Sequence, residues 1–112
     1  MAKDKLFLLT PGFTNPNRDD GPFVCPLSNQ VEGLLASFPD LAAKIDVERV
    51  AFVRPRAAVI AAVGEENQGL PVLILAGNPP EDAKHHGDTA FIQDTPRILA
   101  LLAERHGFPK IH

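Results

Sequence analysis

The residues best suited to chemistry lie in Phe23-Val24-Cys25-Pro26-Leu27-Ser28, which carries the single cysteine of the 112-residue chain. A polar loop gives way to a helical pattern at this point. The thiol is therefore expected at a helix N-terminus, where unpaired backbone N–H groups and the positive end of the helix dipole favour the nucleophilic thiolate. The competing reading is a small buried hydrophobe, the commonest state of a free cysteine.

Two other groups could serve such a thiol. Arg54 and Arg56 flank Pro55 where a second helical pattern begins, a location the helix dipole makes unfavourable for cations. They either grip an anion such as a carboxylate or pair with surface Asp and Glu. Asp94-Thr95 opens the last helical pattern. These residue types cap helices whatever the function, and they also present oxygen atoms to a ligand.

Other chemistries find no support. His85, His86, His106 and His112 lack a metal-ligand spacing, and no metal site is expected. Ser28 and Ser37 stand outside a Gly-x-Ser-x-Gly elbow, no glycine-rich phosphate loop follows a strand, and Glu65-Glu66 leads into a turn.

Composition bounds the partners. An apolar content of 45% over 112 residues suits one globular domain spanning residues 1–112. A net charge of −3 provides no basic field for nucleic acid. The longest apolar run, Leu70 to Ala76, is too short for a membrane helix. One cysteine forms no internal disulfide, so the expected compartment is the cytosol. Met1-Ala2-Lys3-Asp4 leads directly into a strand-like segment, so the mature chain is expected to begin near residue 1.

The elements that must position these residues follow from patterning. Leu6-Phe7-Leu8-Leu9 is continuously apolar, as in a strand buried on both faces, and Pro11-Gly12 stops it. Residues 14–22 are turn formers and read as a loop. Leu27, Val31, Leu34, Leu35 and Phe38 recur at helical intervals, predicting a helix from Pro26 to Phe38 with Pro39 as its stop. Ile45 to Val53 reads as a strand with Val47, Val50 and Phe52 inward and Arg49 blurring the alternation. A helix beginning near Pro55 carries Val59, Ile60 and Val63 and ends at Gly64. Leu70-Pro71 opens a buried strand running to Leu75, with the proline at a tolerated first position. Glu81 to Asp88 is polar and expected exposed, Thr89 to Ile92 is a short strand, and Thr95-Pro96 starts a final helix through Ile98, Leu101 and Leu102 that Gly107 and Pro109 finish. The order β-α-β-α-β-β-α indicates one layered α/β domain.

This order resembles the thioredoxin fold in its glutaredoxin and glutathione-transferase N-domain form, with Cys25 at the start of the first helix, Leu70-Pro71 opening the third strand and Gln93-Asp94-Thr95 opening the last helix. The run Val31-Glu32-Gly33-Leu34-Leu35-Ala36-Ser37-Phe38-Pro39 and the segment from Arg54-Pro55-Arg56 to Leu75 are similar to a family of small uncharacterised bacterial proteins assigned such a fold. The resemblance implies a four-stranded mixed sheet with helices on both faces. It implies a nucleophile at Cys25, with Ser28 where dithiol members carry a second cysteine, and a cis bond at Leu70-Pro71 that sets the Leu70 backbone beside the thiol. Asp94 and Thr95 match the pair that holds the γ-glutamyl end of glutathione, and Arg54 and Arg56 would meet its glycine carboxylate.

With one thiol, the implied activity is that of a monothiol thiol–disulfide oxidoreductase or glutathione-binding protein, with glutathione as co-substrate to release a mixed disulfide. Its partners are a small thiol or disulfide, or a protein. The alternative is a thioredoxin-fold interaction module without turnover. Open sheet edges would also allow a homodimer. The loops 14–22 and 77–88 are longer than glutaredoxins usually carry and are expected near the thiol, either as a selective lid or as a cover that silences it.

Overall fold

The structure, a computed structural model, describes residues 3–112. Its elements are β1 (Lys5–Leu9), α1 (Pro26–Ser37), α2 (Pro39–Ala42), β2 (Asp46–Val50), α3 (Ala57–Val63), β3 (Val72–Leu75), β4 (Lys84–His86), β5 (Thr89–Ile92) and α4 (Thr95–His106). The strands form one mixed sheet in the order β2-β1-β3-β5-β4. β1 runs parallel to β2, and the other neighbouring pairs are antiparallel.

Continuous apolar runs appear in the inner strands because helices cover both faces of the sheet. Leu6 and Leu8 of β1, with Leu73 and Leu75 of β3 and Ala90 and Ile92 of β5, pack against Val31 and Leu35 of α1 and Ile98, Leu99, Leu101 and Leu102 of α4. Phe7, Val72 and Phe91 point the other way and meet Val59 and Val63 of α3. Truncating a buried leucine in the larger cluster to alanine is expected to cost about 2–5 kcal/mol. Phe108, just past the αL residue Gly107 that ends α4, returns the chain to this core.

The sheet has five strands where four were expected. The extra one, β4, comes from the polar segment Glu81 to Asp88; its residues are all exposed, and it pairs with β5 at the edge of the sheet. Such a strand carries no hydrophobic alternation for a sequence pattern to register. Pro39, expected only as a stop, also starts the short helix α2, because proline suits a first-turn position.

β2 is shorter than expected and lies at the other edge. Val47 packs toward the α1 and α4 side and Val50 toward the α3 side, both half-buried. Phe52 lies beyond the strand. Arg49, which disturbs the alternation, is exposed and makes a two-pronged ion pair with Glu32 of α1 at 2.7 Å for each bond. Among the described residues no helix is long and apolar enough to cross a membrane.

Candidate functional site

Cys25 is the N-cap of α1 and Pro26 occupies its first turn. Extended backbone at Cys25 turns its side chain back over the helix start, where Sγ accepts the Ser28 N–H at 3.5 Å. The residue is partly accessible to solvent. The thiol is therefore held at the exposed end of a twelve-residue helix, facing its unpaired N–H groups.

Ser28 sits one turn further on and faces inward. It is 1% exposed, and its hydroxyl accepts the Leu9 N–H at 3.1 Å. The bond anchors α1 to the end of β1, so Ser28 is a buried strut. Leu27, expected on the apolar face of α1, is exposed beside the thiol.

Strand register brings the other candidates to the same end of the sheet. Phe7 pairs with Val72, so Leu70 and Pro71, which precede β3, flank the end of β1 to which Ser28 is tied. The Leu70–Pro71 bond is cis, as expected, and Pro71 is fully buried. Leu73 pairs with Ile92, which carries the start of α4 to that end as well. Gln93 Nε2 donates to the carbonyls of Asn67 and Gly69 at 3.0 and 3.2 Å, lacing the approach to α4 onto the approach to β3.

Asp94 is the N-cap of α4, its carboxylate accepting the Arg97 N–H at 3.1 Å. Thr95 is 4% exposed, and its hydroxyl oxygen is sealed from solvent without a hydrogen-bond partner. The cap accounts for Asp94 and leaves the Thr95 hydroxyl unexplained.

Arg54 and Arg56 have different roles. Arg56 is only 7% exposed, and its guanidinium donates to the Phe52 carbonyl at 3.2 and 2.6 Å and to the Gln68 carbonyl at 2.7 Å. Its backbone N–H donates to Gln68 Oε1 at 2.8 Å. These partners are neutral, three of the five guanidinium N–H groups are engaged by them, and Arg56 forms no ion pair among the described residues. Burial lowers its pKa, the neighbouring Arg54 charge lowers it further, and Cys25 acts in the opposite direction. Arg54 is exposed and makes no ion pair among the described residues. It borders a groove of about 290 Å³ with Asn15, Asn17 and Val53.

The long loop before Cys25 is folded back on itself. Phe13 and Phe23 exchange backbone bonds at 3.0 and 2.8 Å, and the Phe13 ring stacks on Phe52 with centroids 4.5 Å apart. The loop is fastened beside Cys25 without sealing it. The 77–88 segment departs from expectation, since it begins at the opposite end of the sheet, where Arg105 holds the Gly77 and Asn78 carbonyls at 3.1 and 3.0 Å. Only further along does Asp82 reach α4 near its start, pairing with Arg97 at 2.9 Å.

A second polar cluster escaped sequence reasoning. Asp4, 3% exposed, accepts from Ala76 N–H at 2.8 Å, Arg105 Nε at 2.8 Å, Arg105 Nη2 at 3.0 Å and His106 Nε2 at 2.7 Å. Burial alone would raise this carboxyl, but Arg105, the Ala76 N–H and His106 outweigh it and hold it below the ordinary carboxylate value. The only sequence signal was the basic pair Arg105-His106 in the last turn of α4, which reads as a dipole partner. Among the described residues no group of three or more His, Cys, Asp and Glu side chains is arranged to hold a metal ion.

No curated protein and no solved structure matches the chain. A protein family does, over residues 3–110. The chain belongs to the family described as a protein of unknown function, DUF3088.

Proposed function

We propose that the chain is a monothiol, glutaredoxin-like thiol–disulfide oxidoreductase acting through Cys25 on a thioredoxin-like scaffold. The observation that carries this reading is the meeting of a helix-capping thiol, the Leu70–Pro71 strand opening and the start of α4 at one end of the sheet. The strand order β2-β1-β3-β5, with β1 and β2 parallel and the others antiparallel, supports the scaffold, to which β4 is an edge addition. Helices α1 and α4 on one face and α3 on the other support it further.

In the proposed reaction the Cys25 thiolate attacks one sulfur of a substrate disulfide. A new bond forms between Cys25 and that sulfur, and the other half leaves as a thiolate that takes a proton from water. A glutathione thiolate then attacks the sulfur joined to Cys25, regenerating the Cys25 thiolate and carrying the captured group away as a glutathione mixed disulfide. Arg54, free at the groove edge, is suited to a carboxylate of glutathione. Asp94, exposed at the start of α4, is suited to its γ-glutamyl end. A reducing compartment such as the cytosol fits this chemistry.

A second reading is an interaction module on the same scaffold. It is favoured by Val24, Leu27 and Val53, exposed apolar side chains close to Cys25 in the chain or on the Phe52 segment that packs against its loop. Turnover of glutathione with a small disulfide decides between the two. Wild type is expected to turn over and Cys25→Ser to lose that activity; equal rates in both proteins would remove the enzyme reading.

A further inference from the structure

We infer that the cleft at the opposite end of the sheet from Cys25 binds an oxyanion, the phosphate or carboxylate group of a small metabolite. The cleft has a volume of about 830 Å³ and is bordered by Lys3, Lys44, Asn78, Arg105 and His106, with Asp4 at its floor. Its size suits a whole small molecule.

The charge in this cleft does not cancel. Asp4 is the sole acid lining it, and its carboxylate is saturated by Arg105, His106 and the Ala76 N–H. Arg105 is occupied in turn, donating to Asp4 and to the carbonyls of Ala76, Gly77 and Asn78. One unit of each sign is thus consumed internally. Lys3 and Lys44 remain as surplus positive charge, and neither forms an ion pair among the described residues. Lys3 donates once, to the Ala43 carbonyl at 3.1 Å, which leaves two of its three ammonium N–H groups free.

The opposing field is smaller. The carbonyl end of α4 lies at this cleft and contributes the equivalent of about half a negative charge, against two full positive charges from the lysines. A surplus of basic groups in a protein of net charge −3 is a local feature of this cleft and not a background property of the surface.

The test is a titration of the full chain at low ionic strength with inorganic phosphate and, separately, with acetate, followed residue by residue through backbone amide resonances. Saturable shifts are expected at Gly77 and Asn78, and the tighter of the two anions identifies the ligand class. The double variant Lys3→Gln/Lys44→Gln is expected to weaken binding by about tenfold, while Lys84→Gln on the distant strand β4 and Cys25→Ser leave it unchanged. Shifts that never saturate with either anion, or an equal loss in Lys84→Gln, would overturn the inference. Its failure leaves the thiol chemistry untouched, since the two sites share no residue.

Discussion

Ser28 Oγ accepts the Leu9 N–H at 3.1 Å, joining the first turn of α1 to the last residue of β1. The Ser28 hydroxyl is therefore committed to the fold, in a residue that is 1% exposed. Ser28→Ala leaves a buried backbone donor without a partner and is expected to cost about 1–3 kcal/mol. Urea unfolding of the variant measures it, and an unchanged midpoint would show that the bond contributes nothing to the fold.

The Asp4 cluster predicts a stability that depends on acid. Its carboxyl is held below the unfolded value of 3.8, so the folded protein binds that proton less readily than the unfolded chain. The contribution is complete above that value and is lost as the pH falls through the folded one. Asp4→Asn leaves the Arg105 guanidinium without its counter-ion and is expected to cost about 3 kcal/mol at neutral pH. The gap between variant and wild type should narrow at acidic pH, where wild type loses the same interaction. A gap independent of pH would contradict this account.

Asp94 allows capping to be separated from ligand contact. Asp94→Ala is expected to lose about 1 kcal/mol of stability, while Asp94→Asn keeps an accepting oxygen for the Arg97 N–H and stays close to wild type. On the proposed function, Asp94→Asn nevertheless weakens glutathione binding because the negative charge is gone. Calorimetric titration beside thermal unfolding checks both halves; glutathione binding equal to wild type would reduce Asp94 to a helix cap.

The stack between Phe13 and Phe52 fastens the loop that leads to Cys25. Phe52→Ala is expected to cost about 1 kcal/mol in lost aromatic pairing and to raise both proteolysis within residues 14–22 and the alkylation rate of Cys25. Unchanged cleavage and alkylation would mean that the loop is held by other contacts.

The sequence made legible what hydrophobic patterning controls. Leu6 to Leu9 read as a strand buried on both faces because each alternate residue meets a different helix layer. Cys25 and Asp94 read as helix starts because the neighbouring prolines and cap-forming groups act locally. Strand β4 was missed because Lys84, His85 and His86 bury no side chain, and its pairing with β5 is a backbone interaction. The role of Arg56 was missed because its partners, the Phe52 and Gln68 carbonyls, are features of chain path and not of residue type. Asp4 was invisible for a related reason: its partners lie 72 to 102 positions away.

That last separation bears on how the molecule opens. Asp4 precedes β1, and Arg105 and His106 close α4, so the clasp ties the beginning of the sheet to the end of the final helix. Fraying at either extremity must first break a desolvated ionic contact held by the other. Amide hydrogen exchange in β1 and in the last turn of α4 is therefore coupled, and the two extremities unlock in a single event.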